Sequence, residues 1–223
     1  MADNYLEKQY EQYEARKAAW QKSRKQGKKK VTPAKPQPQQ SVTPTETHVM
    51  ETERLVLRPF TEHDAEAFFD CCRNPNLGNN AGWKPHETRE ESLEILRTVF
   101  IAQKDTWAVI HKEDRQLVGA IGITPDPKRE NPKAGMIGYW LDESRWGKGY
   151  MTEAASAVIK HGFNELGLTL ISANCYPHNE RSQHVLKRLG FAYEGILHQA
   201  EVTYDGRTYD HLCYYLKKED GQN

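Results

Sequence analysis

A strand pattern, a glycine-containing turn and a helix pattern follow one another between residues 134 and 164, and this order constrains the fold more than any other feature. The run AGMIGYWLD is mostly apolar and follows a proline-containing loop, which predicts a strand. After the turn WGKGY, apolar residues recur at helical spacing, and the apolar run LTLISANCY comes next. Together the patterns predict a parallel crossover, in which a helix joins two strands of one sheet. The helix residues expected to be buried are Met151, Ala154, Ala155, Val158 and Ile159.

The turn itself places Gly147 and Gly149 directly before this helix. The first turn of a helix has unpaired backbone N–H groups and carries the positive end of the helix dipole, so it can hold an anion. Glycine has no side chain to keep a phosphate away from those donors, which predicts a diphosphate cradle. Two glycines also occur in ordinary turns, and at this point both interpretations stay open.

The remaining patterns predict further strands, helices and a hairpin around this unit. A strand in ETERLVLRPF precedes two helices, in TEHDAEAFFDCCRN and HETREESLEILRTVFIAQ, and the strands TWAVIHK and QLVGAIGI complete an antiparallel meander with AGMIGYWLD. After LTLISANCY, a short helix begins at the cap Asn179 and ends at Gly190. The chain then forms a hairpin that turns at Asp205-Gly206.

The first 48 residues differ in composition from the rest. They carry ten Lys or Arg against five Asp or Glu, a net charge of +5, whereas the remainder carries 21 against 26, a net charge of −5. The pattern NYLEKQYEQYEARKAAW predicts a short helix, followed by the basic block KSRKQGKKK and an extended Pro/Gln-rich linker. We therefore expect a helical or disordered basic tail over residues 1–48 and one folded domain over residues 49–219.

The basic block permits two interpretations. Its cations could neutralise phosphates of RNA or of the ribosome, or they could form a solvated charge run without a partner. The residues concerned are Arg24, Lys25, Lys28, Lys29 and Lys30.

The sequence shows no pattern typical of secretion, membrane insertion or metal binding. No run resembles a signal peptide or approaches the roughly 18 apolar residues of a membrane span, so we expect a soluble, cytoplasmic protein without membrane contact. The four cysteines show no CxxC spacing and no HExxH occurs, so we expect neither a disulfide nor a metal site. The sequence leaves the choice between monomer and homodimer open.

The order of elements resembles the GNAT family of acyl-CoA-dependent N-acetyltransferases. The motifs IGYWLDESRWGKGYMTEA, NERSQHVLKRLGF, YEG and QAE resemble its RimJ/RimL-type branch, whose name-giving members acetylate the N-terminal amino group of ribosomal proteins. The resemblance covers about residues 50 to 217. It implies an α+β GNAT fold with a mixed, mostly antiparallel central sheet flanked by helices.

The resemblance also implies a binding site for acetyl-CoA as co-substrate. The diphosphate loop of the family runs Gln/Arg-x-x-Gly-x-Gly/Ala, and Trp146 and Met151 depart from that pattern here. Only backbone N–H groups need to face the phosphates, so the departure is tolerable. The strand ending at Leu141 would pair with the pantetheine amides, and Asn179 would contact the pantetheine arm in addition to capping its helix. The implied acetyl-CoA-binding residues are Leu141, Trp146, Gly147, Lys148, Gly149, Tyr150, Met151, Thr152 and Asn179.

Two residues match the catalytic positions of the RimL-like pattern. Glu201, in QAE, would take the proton of the attacking amine, and Ser182, in NERS, would protonate the departing thiolate. We expect Val202 and Tyr204 to bury Glu201 partly, which would favour its protonated form. Glu194 in YEG is the competing base, and Ser182 could instead make only local hydrogen bonds. Direct attack in a ternary complex needs no protein nucleophile, so Cys175 is expected to be a buried structural residue.

The acceptor stays open at this stage. The resemblance favours the N-terminal α-amine of a protein, in particular a ribosomal protein. A small amine such as a polyamine or an aminoglycoside is the alternative, as is a module that binds acyl-CoA without catalysis. The segment NNAGWKPHETREES, with Trp83 and His86, is expected to help wall the acceptor site.

Overall fold

A computed structural model describes residues 48–219, and the basic tail lies outside the described residues. One mixed sheet carries the strands in the order β1-β2-β3-β4-β5-β6-β8-β7. The strands are β1 (Met50–Glu51), β2 (Leu55–Arg58), β3 (Thr106–His111), β4 (Leu117–Pro125), β5 (Ala134–Leu141), β6 (Leu170–Cys175), β7 (Ala192–Val202) and β8 (Thr208–Lys217). The helices are α1 (Ala65–Cys72), α2 (Pro75–Ala81), α3 (Arg89–Ile95), α4 (Tyr150–Asn164) and α5 (Glu180–Arg188).

The centre of the sheet confirms the predicted meander and crossover. Strands β3, β4 and β5 pair antiparallel, with Ala120 opposite Ala108 on one side and Trp140 on the other. Helix α4 then returns the chain so that β6 pairs parallel to β5. The predicted hairpin forms as well, and β8 lies between β6 and β7. The α+β GNAT fold expected from the sequence is therefore confirmed.

Two apolar layers hold the helices against the sheet. On one face, Leu55, Leu57 and Val109 pack with the buried stripe of α4, whose Ala154, Ala155 and Val158 are fully inaccessible. The strand residues that alternate with these, such as Ala108 and Ile110 on either side of Val109, point to the other face of the sheet. There they pack against α1 to α3. That second layer contains Phe68, Leu96, Ala108, Ile110, Ala120 and Trp140.

The N-terminal part of the domain contains two elements that were not predicted. A two-residue strand, β1, pairs antiparallel with β2, which is the expected first strand. Three helices follow it rather than two, because α2 forms between the expected pair. Its seven residues are stabilised by the Asn74 side chain, which accepts from the Asn76 N–H, by Pro75 at the first position and by Gly82 in the left-handed conformation at the end.

Candidate active site

Strands β5 and β6 separate halfway along their length and leave a gap in the sheet. They pair only from Ala134 to Met136 on β5, although β5 continues to Leu141. The Asp142 N–H donates to the Val118 carbonyl of β4 at 2.8 Å. Because facing directions alternate along a strand, the backbone groups of Leu141 and Tyr139 are directed toward the gap. The carbonyl of Leu141 accepts a hydrogen bond from the Trp146 indole at 2.7 Å.

The Gly147–Gly149 turn lies at the start of α4, beside this gap. Gly147 has φ +75° and Gly149 has φ +80°, both in the left-handed region that favours glycine. A Cβ placed on Gly147 would meet no atom within 4 Å, so the space above the turn is open. The side chain of Lys148 is exposed.

Arg54 fixes this turn from a distant part of the sequence. Its guanidinium donates to the Lys148 carbonyl at 2.9 Å and lies 4.6 Å from the centre of the Tyr150 ring. It also forms an ion pair with Glu153 at 2.7 Å. Burial alone would raise the pKa of Glu153, but hydrogen bonds from Thr52 and Arg54 hold it below its ordinary value. The sequence analysis missed Arg54, which looked like a polar residue bordering the first strand.

The predicted residues at the start of α4 divide into two groups. The side chains of Tyr150 and Met151 anchor the helix, since the Tyr150 hydroxyl lies 3.1 Å from His111 Nε2 and Met151 belongs to the core. Thr152 differs, because its hydroxyl oxygen is buried and has no hydrogen-bond partner among residues 48–219. Such a group usually has a partner in the working protein.

Ser182 lies at the other side of the gap, on the first turn of α5. The Asn179 side chain accepts from the Ser182 N–H at 3.1 Å, as its predicted capping role requires, and its amide donates to the Asn80 carbonyl at 3.2 Å. The Ser182 hydroxyl lies 3.0 Å from the Tyr139 hydroxyl. Burial raises the pKa of Tyr139 above its ordinary value, so this phenol is protonated at neutral pH. Tyr139 is a second residue that the sequence analysis missed.

Cys175, at the end of β6, is buried as expected. Burial raises the pKa of its thiol to about 11, and the neighbouring Ser182 hydroxyl offsets only part of that effect. The thiol is therefore protonated at neutral pH and is a poor nucleophile.

Glu201 is held by two hydrogen bonds to the same oxygen. Its Oε2 accepts from the Tyr176 hydroxyl at 2.8 Å and lies 3.0 Å from His211 Nε2. The expected neighbours do not bury it, because Val202 and Tyr204 are 65% and 49% exposed. Tyr176 and His211 cover the carboxylate instead, and its side chain is 11% exposed.

A bulge in β7 sets the direction of Glu201. The pairing with β8 shifts between Leu197 and Glu201, and Gln199 has φ +50°. Asp210 stabilises this bulge, since one carboxylate oxygen accepts from the Gln199 N–H at 2.8 Å and the other bonds His198 at 2.9 Å. Extra residues in one strand re-aim a side chain, and here the bulge brings Glu201 opposite Tyr209 of β8.

Helix α2 reaches from the turn before Gly147 to Glu201. At its start, the side chains of Asn74 and Asn76 donate to Glu143 at 2.7 and 2.9 Å. At its end, a Cβ on Gly82 would lie 2.8 Å from Glu201 Oε1. The hydroxyl of Tyr204 donates to Asn79 at 3.3 Å.

His86 belongs to the segment expected to wall the acceptor site, but its side chain lies in the core. His86 is buried, bonds the Ser92 hydroxyl at 2.7 Å and packs against the Phe68 ring. Trp83, the other residue of this expectation, packs edge-on against Trp140. Trp83 follows Gly82, which is the residue of this segment that lies beside Glu201.

The two predicted catalytic residues contact consecutive residues at the C-terminal end of β6. Ser182 acts on the Cys175 thiol, and the next residue, Tyr176, bonds Glu201. The competing base Glu194 forms an ion pair with Arg129 instead. Within residues 48–219 there is no cluster of three or more His, Cys, Asp or Glu that could hold a metal, and no helix of this part is long and apolar enough to cross a bilayer.

Comparison with known proteins gives one consistent family. Residues 54–192 match the acetyltransferase (GNAT) domain family. The ribosomal-protein-serine acetyltransferase of Escherichia coli is 32% identical over 80% of this chain and 99% of its own length. A GNAT-family acetyltransferase from Bacillus anthracis superposes with a TM-score of 0.69 at 26% identity, covering 77% of this chain and 99% of that one. Mycobacterium smegmatis RimJ in complex with CoA-disulfide gives 0.61 at 25% identity, covering 76% and 84%. The chain therefore belongs to the GNAT family of N-acetyltransferases, which use acetyl-CoA, and to its RimJ/RimL-like members.

Proposed function

We propose that this N-acetyltransferase transfers the acetyl group of acetyl-CoA to the N-terminal α-amine of a protein, by direct attack in a ternary complex. The observation that carries the proposal is the gap between β5 and β6. The Gly147–Gly149 turn opens beside it, and Ser182 and Glu201 lie at the end of β6 on its other side. In this proposal the gap would lead from the turn, as the diphosphate site, to Ser182 as the acid and Glu201 as the base.

The residues around the turn fit the diphosphate of acetyl-CoA. The N–H groups at the start of α4 carry the positive end of the helix dipole, and the left-handed Gly147 leaves the space above the turn open. The unpartnered Thr152 hydroxyl would then donate to a phosphate oxygen. Lys148 is exposed and would add positive charge. Trp146 would support the turn through its indole bond to Leu141 rather than contact the phosphates.

The edge of β5 fits the pantetheine arm. The backbone groups of Tyr139 and Leu141 are directed into the gap, where the two amides of pantetheine could pair with them as an added strand would. Asn179 already uses both ends of its side chain, for Ser182 and for Asn80. Its contact with pantetheine would therefore replace the bond to the Asn80 carbonyl.

The chemistry requires one proton acceptor and one proton donor. Acetyl-CoA supplies a thioester that a neutral amine can attack. Glu201 would accept the proton that the amine loses, through the oxygen not bonded to Tyr176 and His211. The Ser182 hydroxyl, hydrogen-bonded to Tyr139, would donate a proton to the CoA thiolate, and solvent would return a proton to Ser182 as it takes one from Glu201.

A protein N-terminus is the acceptor that the relatives favour. The E. coli relative is named for acetylating a ribosomal protein at serine. Small amines are the competing acceptor class, and a binding module without turnover is the competing function. The test is thiol release from acetyl-CoA against peptides with varied N-termini, spermidine and an aminoglycoside.

Matched variants identify the base in the same assay. Glu201→Gln keeps the size of the side chain and should lower turnover at least ~10²-fold, the lower end for losing a general base. Glu194→Gln removes the competing carboxylate and should leave turnover close to that of the unaltered protein. Turnover with spermidine or the aminoglycoside but not with peptides would contradict the proposed acceptor. Acetyl-CoA binding without turnover on any amine would favour the binding module.

A further inference from the structure

The two oxygens of the Glu201 carboxylate have different surroundings. Oε2 is bonded to both Tyr176 and His211, whereas no described residue donates to Oε1. Gly82 faces Oε1, and a Cβ there would lie 2.8 Å from Oε1 and 2.4 Å from the Tyr176 hydroxyl. The absent side chain at Gly82 therefore leaves room beside one oxygen while the other is fully engaged.

We propose that Tyr176 and His211 are positioning residues, which hold Glu201 by Oε2 so that Oε1 faces the acceptor amine. The proposal rests on the proposed function, in which Glu201 takes the proton of that amine. Neither residue needs to touch the substrate. Each acts through the carboxylate, by fixing its orientation and by stabilising its charged form.

The hydrogen bond to Glu201 determines which ring nitrogen of His211 must carry a proton. A carboxylate only accepts, so the 3.0 Å contact places a proton on Nε2. The other ring nitrogen, Nδ1, is buried and has no partner among residues 48–219. A side chain that places an N–H donor at the position of Nε2 should therefore replace His211 in this role, and the glutamine amide provides such a donor.

Tyr176 has titratable neighbours besides Glu201 and His211. The rings of Tyr209 and His178 pack against Tyr176, and Asp205 acts on the Tyr176 hydroxyl from the hairpin turn. Helix α2 presents no charged residue, since its sequence is PNLGNNA. The pKa of Tyr176 is raised above its ordinary value by burial and by the Glu201 charge, so its hydroxyl remains a donor at the pH of the assay.

The test uses three variants of the full chain with the peptide acceptor. Tyr176→Phe and His211→Leu each remove one donor to Oε2, whereas His211→Gln keeps one. We expect kcat/KM to fall on the order of tenfold for each loss of a hydrogen bond to a charged group. The fall should lie in kcat, with the KM for acetyl-CoA close to that of the unaltered protein, because neither residue lies at the proposed acetyl-CoA site. His211→Gln should restore most of the rate.

Controls separate this inference from the proposed function. Tyr193→Phe alters an exposed tyrosine on β7 and should leave both kcat and KM unchanged. Circular dichroism and acetyl-CoA affinity check that each variant is folded. If His211→Leu does not fold, the result for Tyr176→Phe decides the test. An unchanged kcat in folded Tyr176→Phe, with Glu201→Gln inactive, would overturn the positioning role alone. Full turnover by Glu201→Gln would instead overturn the proposed base.

Discussion

Replacing Thr152 by valine should have opposite effects on stability and on acetyl-CoA binding. Thr152 follows two anchoring residues in the first turn of α4, and its hydroxyl oxygen is buried without a partner in the described part of the chain. Valine has nearly the same shape and a similar helix propensity. The change therefore removes the hydroxyl and little else.

The magnitudes follow from what the hydroxyl does in each state. An unpaired buried hydroxyl costs about 1 to 3 kcal/mol, so the free protein should unfold with a free energy unchanged or raised by about 1 kcal/mol. When a phosphate is bound, the hydroxyl donates to a charged group, and such a bond contributes about 1.5 to 3 kcal/mol. Losing it should weaken acetyl-CoA binding roughly 10- to 150-fold.

Two measurements on the same preparation check this prediction. Urea denaturation without ligand gives the free energy of unfolding, and titration calorimetry gives the Kd of acetyl-CoA. Thr98→Val is a suitable control, because its hydroxyl bonds the Glu94 carbonyl at 2.8 Å on the exposed surface of the domain. An unchanged Kd in Thr152→Val, with the fold intact, would refute the reasoning about the hydroxyl.

Three further predictions concern the turn, an ion pair and the thiol. Gly147→Ala should lower the free energy of unfolding by about 1 kcal/mol, since φ is +75° there, whereas Gly138→Ala should not; denaturation measures both. Burial alone would raise the pKa of Asp64, but Arg58 and Thr61 hold it below 3.8, so its contribution to stability is present above that value and lost as the pH falls further. Asp64→Asn should therefore cost about 2 kcal/mol at pH 7 and less below pH 3.8, as denaturation across pH would show. Cys175→Ala should retain turnover in the thiol-release assay, because the buried thiol has a pKa of about 11; loss of all activity in a folded variant would indicate a covalent intermediate.

Local patterns were sufficient to predict most of the fold. The β5–α4–β6 crossover follows from two mostly apolar runs, with two glycines and a helically spaced apolar pattern between them. The Asn179 cap and the Asp205-Gly206 turn depend on neighbouring residues only. Helix α2 was missed because PNLGNNA has no apolar period, although Asn74 and Pro75 form a recognisable start. A cap followed by proline is the signal that would have found it.

The site was less predictable because its contacts are distant in sequence. Arg54 and Glu153 are 99 residues apart, and Tyr139 and Ser182 are 43 apart. The prediction of what surrounds Glu201 was wrong for the same reason. Val202 and Tyr204 are its neighbours in sequence, but both are exposed to solvent. Tyr176 and His211 reach Glu201 only after β8 inserts between β6 and β7. These contacts between distant segments cannot be predicted from the pattern of any one segment.

The most direct test of the proposed function is the position of the acetyl group after reaction. A peptide with a free N-terminus and an internal lysine would be incubated with the protein and acetyl-CoA, beside the same peptide with a formylated N-terminus. Tandem mass spectrometry should find one acetyl group on the α-amine of the free peptide and none on the blocked one. Acetylation of the lysine in both peptides, or of neither peptide while spermidine is acetylated, would contradict the account.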